Sequence, residues 1–184
     1  MLTSYVRKKL GLENLKYGKL ARHKNFDGFV SYVDWAESRE LSKKAHNHVP
    51  TYSVWKDNGL DRVTNVDDLN AIRQTDAFRI YRRYVNILDN LELSTIKAGY
   101  GYLYPHKYIG EDGTKMERMA RFQIMGEARR PEYYPKEILG LRWASEDQLK
   151  KNSNYINYLT TFHKTNEAVK VDNVALIRKN LLET

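Results

Sequence analysis

The chain has 184 residues, of which 41% are hydrophobic and 29% charged, and it contains 14 Tyr, 5 Phe, 3 Trp and no cysteine. That composition fits a globular chain rather than a disordered one, and a length within the range of a single domain. It excludes disulfides, thiolate zinc sites, iron–sulfur clusters and a cysteine nucleophile, while a formal charge of +8 asks for an anionic partner.

The charge is polarised along the chain. Residues 1–25 hold Arg7, Lys8, Lys9, Lys16, Lys19, Arg22 and Lys24 against Glu13 alone, a net +6, whereas the remaining 159 residues carry 24 basic and 22 acidic side chains, a net +2. These seven cations are the candidate lipid- or partner-binding residues. Leu2, Tyr5, Val6 and Leu10 fall at helical spacing, with Arg7, Lys8 and Lys9 mostly off that stripe. Mitochondrial presequences share this basic amphipathic character, as do helices lying on a membrane surface and ordinary first helices docked on their domain. No apolar h-region of a secretory signal is visible, and no run of about 18 apolar residues that could span a bilayer. The expected organisation is a basic amphipathic arm over residues 1–25 and a single, mostly helical domain over 26–184 with extended C-terminal connectors.

Residues 26–63 show no clean period. Phe29, Val30, Tyr32, Val33 and Trp35 form an apolar aromatic cluster, Glu37 to Lys44 suit a short helix, His46 to Pro50 read as a turn, and Asn58-Gly59 as another. The strongest helix begins near Asn65, an N-cap residue followed by Asp67 and Asp68 at the positive end of the helix dipole. Val66, Leu69 and Ile72 start its stripe; Ala77, Ile80, Tyr81, Tyr84, Leu88 and Leu91 continue one, with a break at Gln74–Asp76. Arg79, Arg82 and Arg83 lie opposite, with Arg73 earlier, so the pattern predicts one core face and one arginine-rich face. Tyr100, Tyr102 and Tyr104 alternate between glycines and before Pro105, which predicts at most a short strand or hairpin near 98–110, or an aromatic loop. Thr114 and Glu117 match a capping box ahead of a helix that runs to Gly126, and Ser145 and Gln148 match a second. Residues 127–144, with Pro131, Pro135, Tyr133, Tyr134 and Trp143, read as an ordered connector. Leu149, Ile156 and Leu159 mark a stripe beside Tyr155, Tyr158 and Phe162, and a last helix starts at Asp172 or Asn173. The fold class is mainly α, an irregular helical subunit with long ordered loops and a basic N-terminal arm.

No motif points to catalysis. His46 and His48 could ligate a metal, but no third ligand lies in reach along the chain, and the letters His46-Asn47-His48 do not span the ββα unit a nuclease of that label needs. Glu111, Asp112 and Glu117 lack the spacing of a calcium loop. No phosphate loop, nucleophile elbow or kinase set is present, and no cofactor is expected. Arg73, Arg79, Arg82 and Arg83 could read phosphates or pair with nearby acids; with Tyr100, Tyr102 and Tyr104 they are the candidate interface residues. The tyrosines could also stack bases.

The stretch Trp55-Lys56-Asp57-Asn58-Gly59-Leu60, then Val66 to Arg73, then Ala77-Phe78-Arg79-Ile80-Tyr81-Arg82-Arg83 resembles the small helical subunit 7 of the mitochondrial ubiquinol–cytochrome c reductase complex. The family's Leu-Pro loop between the two helices is absent here, and residues 84–184 lie outside the resemblance. The resemblance implies a non-catalytic accessory subunit on the matrix side of the mitochondrial inner membrane, stabilising a respiratory complex through other subunits and an anionic lipid such as cardiolipin. The alternative expectation is a mitochondrial ribosomal or other RNA-binding structural protein, which basic arms and aromatics fit and a near-neutral body does not.

Overall fold

A computed structural model describes residues 2–99 and 113–183. Among these residues the chain forms eleven helices and no strand: α1 (Leu2–Lys9), α2 (Tyr17–Ala21), α3 (Phe26–His46), α4 (Thr51–Asp57), α5 (Val66–Ile72), α6 (Asp76–Lys97), α7 (Lys115–Glu127), α8 (Tyr133–Ile138), α9 (Glu146–Lys151), α10 (Ser153–Lys164) and α11 (Asn173–Glu183). The fold is mainly α. The strand or hairpin expected near 98–110 lies outside the described residues, save Ala98 and Gly99, which close α6 through hydrogen bonds to the carbonyls of Ser94 and Ile96.

The chain clusters into two units, residues 1–40 with 171–184, and residues 41–170. In the first, α1 ends in Arg7, Lys8 and Lys9, which suit the negative end of its dipole. Gly11 follows at φ +70°, and the Leu12 N–H donates back to the Arg7 carbonyl. That left-handed residue turns the chain so that Leu12 can be buried. Val6, Leu10, Leu12, Leu15 and Leu20 join Phe26, Phe29 and Val30 of α3 and Ile177, Leu181 and Leu182 of α11 in one apolar cluster. The Asn25 side chain donates to the Leu10 carbonyl at 2.9 Å, and Arg178 pairs with Asp27 at 2.7 Å. Residues 2–25 are therefore folded on a small core, not extended from it.

The second unit is built around α6. Trp55 of α4 is fully buried, edge-on to Tyr81 at 4.8 Å and to Phe78 at 6.5 Å, a geometry that places the positive ring edge on a negative face. Leu41, Ala45, Val54, Leu60, Leu69, Val85, Leu88, Met116, Ala120 and Ile124 complete this core. A second core joins Leu93, Phe122, Met125, Tyr134, Ile138, Tyr155 and Tyr158. Here α7 packs most extensively on α10, and Gly126 is the reason they come so close: a Cβ on it would lie 2.6 Å from the Tyr158 carbonyl oxygen and 2.8 Å from the Phe162 nitrogen.

Several local expectations are met. Asn65 caps α5 by accepting from the amide of Asp68, the break expected at Gln74–Asp76 is where Thr75 caps α6 by accepting from the amide of Phe78, Gly59 turns at φ +67°, and Ser145 with Gln148 forms a complete capping box. Three corrections stand beside them. The short helix expected at Glu37–Lys44 is the end of a 21-residue helix. Its apolar residues change side: Phe26, Phe29, Val30 and Val33 serve one cluster and Leu41 and Ala45 another, so no single stripe runs its length. In α10 the buried face is Tyr155 and Tyr158, while Ile156 is exposed. At α7, Thr114 accepts from the Glu117 amide, but the Glu117 carboxylate turns inward instead of back to the cap.

Candidate functional site

Among the described residues, buried charged side chains gather between α6 and α7. Asp89 and Glu92 sit three residues apart on α6, Glu117 and Arg121 four apart on α7, so each pair shares a helix face. Arg121 is 1% exposed and Asp89 0%, and they meet at 2.5 Å. The Tyr134 hydroxyl of α8 donates to the same Asp89 oxygen at 2.9 Å. The other oxygen is 3.4 Å from Arg130 Nε, and Arg121 also donates to the Val85 carbonyl at 3.3 Å. One turn away, the Tyr81 hydroxyl donates to Glu117 at 2.6 Å. Burial pushes the Glu117 carboxyl above its ordinary value, against the hydroxyls of Tyr81 and Thr51 and the charge of Arg121. Arg121 is held above its ordinary value: burial is the largest influence and opposes the charge, but Asp89, Tyr134, Tyr81 and Glu117 together outweigh it. Burial raises Tyr134 and Tyr81 well above ordinary phenols.

Glu92 is the member that titrates near neutrality. Burial pushes its carboxyl up from 4.5 to about 7, with Arg121 opposing and Asp89 adding to the rise, and His48 Nδ1 stands 3.9 Å away. A carboxyl raised in the folded state binds protons more tightly there than in the unfolded chain. Its contribution is fully present below the ordinary value of 4.5 and is lost as pH rises through about 7. Glu117 acts in the same direction. We therefore expect stability to fall by about 1–2 kcal/mol between roughly pH 5.5 and pH 8.5, and Glu92→Gln to flatten most of that slope. Thermal melts of both proteins across this range check it; an unchanged slope in the variant would assign the effect elsewhere.

The arginines expected to form a polar helix face do other work. Arg79 is 5% exposed and pairs with Asp76 at 2.6 Å. Arg73 and Arg82 converge on Glu127 at the end of α7, at 2.6 and 3.2 Å, with their guanidiniums 5.7 and 5.2 Å from the Phe78 ring centre. Arg73 also donates to the Gln123 side chain. Burial lowers the Arg82 pKa, and Glu127 opposes the drop. Arg83 is half-buried. The structure thus brings Arg73 and Arg82 together on one carboxylate, and this corrects the picture of an arginine-rich face opposite the core. Tyr100, Tyr102 and Tyr104 lie outside the described residues, as do Glu111 and Asp112. His46 Nδ1 lies 2.8 Å from the Ser42 carbonyl oxygen, and among the described residues no three metal-ligating side chains gather.

No motif in the sequence singles out Asp89, Glu92, Arg121 or Arg130. The only trace was charge at core-face spacing on two helices, which does not say that the charges meet.

At the surface, Lys8, Lys9, Lys16, Lys19, Arg22 and Lys24 are exposed, and Arg7 is half-buried with Nε donating to the Leu12 carbonyl at 3.3 Å. Tyr5 and Tyr17 are exposed beside them, with Lys9 Nζ 5.6 Å from the Tyr5 ring centre. In the second unit, Trp143, in the turn between α8 and α9, is 89% exposed, and the Arg142 guanidinium lies 5.2 Å from its ring centre. No described helix is long and apolar enough to cross a membrane.

No protein-family model matches the chain, and no solved structure matches it. A curated protein of Phytophthora infestans (strain T30-4), described as a secreted RxLR effector protein, is 25% identical to it over 135 residues. The match covers 73% of this chain and 56% of the relative, so the chain spans about half the length of the curated relative it matches.

Proposed function

We propose that this chain is a non-catalytic helical binding module of a secreted protein, engaging a partner protein through the α8–α9 surface around Trp143. The observation that carries this reading is Trp143 itself: the largest apolar side chain stands 89% exposed, with an arginine at its face. Folding alone gains nothing from leaving it in water. Trp and Arg are the side chains that most often dominate binding interfaces, and Tyr133, on α8, is exposed as well. The charged groups of α6 and α7 are spent inside the unit, which leaves them a structural role. The likeness to a protein described as a secreted effector supports a protein that acts by binding.

Trp143→Ala tests the proposal. The side chain is exposed, so the thermal midpoint should stay within a degree or two. The wild-type chain should co-migrate with a specific partner at a native mass far above its own 21.7 kDa, and the variant should lose about tenfold or more in affinity for that partner once purified. A chain that migrates alone, or a variant that keeps its partner, would overturn the reading.

A second reading, the accessory subunit of a mitochondrial inner-membrane respiratory complex on its matrix side, is favoured by the exposed basic surface of residues 1–25. The residues of that resemblance have local structural roles here: Trp55 in the core, Gly59 in a turn, Asp67 and Asp68 in the first turn of α5. Migration in a mild-detergent membrane extract separates the readings, since only a subunit would move with an RNase-insensitive membrane complex. RNase-sensitive migration would instead favour the RNA-binding alternative.

A further inference from the structure

We infer that the basic face of the first unit adsorbs to an anionic lipid bilayer, electrostatically and without burying a hydrophobic helix. This rests on the surface of residues 1–25, which also favours the second reading above, and is independent of the partner at Trp143.

Lys8, Lys9, Lys16, Lys19, Arg22 and Lys24 are all exposed, and among the described residues none of them forms an ion pair. The acidic side chains of the unit are placed elsewhere. Glu13 alone lies within residues 1–25, whereas residues 26–40 hold Asp27, Asp34, Glu37 and Glu40 against Arg39, and residues 171–184 hold Asp172 and Glu183 against Arg178 and Lys179. Asp27 is already matched by Arg178. Residues 1–25 thus carry a net +6 with Glu13 counted, next in sequence to a segment of net −3, while residues 171–184 balance to zero. Such a dipolar unit meets a negative plane in a preferred orientation.

The apolar residues of α1 decide the mode of contact. Val6 of α1 and Leu10 just after it are partly buried against the core cluster of Leu12 and Leu20. Packed there, Val6 and Leu10 are not the side chains that would bury an apolar helix face in a bilayer. What α1 offers outward is Lys8, Lys9 and Tyr5, and the second basic stretch offers Lys16, Lys19 and Tyr17.

Residue type favours lipid over nucleic acid. Five of the six exposed cations are lysines, compact point charges on flexible stems that suit a fluid array of headgroups. Arg7, one of the two arginines in the segment, directs its Nε at the Leu12 carbonyl, so the bidentate forks typical of phosphate-backbone readers are scarce. Tyr5 and Tyr17 are exposed at 58% and 64%, and tyrosine, apolar in body and polar at its tip, sits well at headgroup depth.

The test uses the full chain and sedimentation with vesicles of phosphatidylcholine alone or with about 30% phosphatidylserine. Binding is expected only to the anionic vesicles, falling about tenfold or more as salt rises from roughly 0.05 to 0.3 M. Lys16→Glu/Lys19→Glu should weaken it by about tenfold or more, while Lys164→Glu/Lys170→Glu, the same change of net charge in the second unit, should change it less than about twofold. All four lysines are exposed, so both variants should keep the wild-type thermal midpoint. Equal loss in the two variants would make net charge the cause and overturn the assignment. So would absence of binding, equal binding to neutral vesicles, or tighter binding to a single-stranded RNA oligonucleotide at the same salt.

Discussion

Asp89→Leu is expected to destabilise the second unit by about 3–5 kcal/mol, and Asp89→Leu/Arg121→Met by much less. The asymmetry follows from what each change leaves behind. With Asp89 gone, the Arg121 guanidinium stays 1% exposed, keeps only the Val85 carbonyl at 3.3 Å among its neutral partners, and cannot shed its proton. The Tyr134 hydroxyl loses its acceptor in the same step. Arg121→Met alone should be milder, because Asp89 retains Tyr134 at 2.9 Å and Arg130 at 3.4 Å and a carboxyl can take up a proton. Removing both partners exchanges a desolvated ion pair for apolar side chains of similar volume, a change that is often neutral. Urea unfolding of the four proteins gives the coupling, expected at about 2 kcal/mol or more. Additive single effects would mean that the pair contributes nothing as a pair.

The second large effect is expected at Gly126. Alanine there would set a Cβ 2.6 Å from the Tyr158 carbonyl oxygen, 2.8 Å from the Phe162 nitrogen and 2.8 Å from Thr161 Cβ. Two of these neighbours are backbone, and no rotamer change moves them aside, so α7 and α10 must separate. That disturbs Phe122, Met125, Tyr155 and Tyr158 in the core they share. A loss of about 1–3 kcal/mol is expected for Gly126→Ala and more for Gly126→Val. Gly28 in α3 is the internal control. It has open space where its Cβ would be and no positive φ, so Gly28→Ala should stabilise by about 0.5–1 kcal/mol by reducing the freedom of the unfolded chain. Chemical denaturation of both variants checks the pair; a neutral Gly126→Ala would show that the two helices yield without cost.

Both predictions concern features whose meaning is invisible from one segment. Gly126 ends a helical pattern in the sequence and looks like a stop signal, yet α7 runs through it to Glu127; the glycine is there for the helix that crosses it. Glu117 has the spacing of a capping box. Thr114 does its half, but the carboxylate accepts from Tyr81, 36 residues earlier. Ser145 and Gln148 have the same spacing and make both bonds, because both are exposed and have no competing partner inside. Arg73 and Arg82 look like parts of a solvated face until Glu127, 54 residues beyond Arg73, accepts from them.

What the sequence determined by itself is local. Asn65 and Ser145 as caps, the turn at Gly59, the apolar stripe of α6, the helical class of the chain and the concentration of positive charge in residues 1–25 all depend on neighbours within a few positions. Backbone geometry and side-chain spacing dictate these without knowledge of the fold. The tertiary structure alone decided which charges meet, which arginines are buried, which face of α10 turns inward and where two helices can touch. It also decided that Val6 and Leu10 dock on a core and leave the lysines of the same segment to face outward. Those outcomes depend on contacts between residues far apart in the chain, and burial gives them their size. A carboxylate and a guanidinium that would contribute little to one another in water become, at 2.5 Å and out of water, the pair whose separation the fold cannot tolerate.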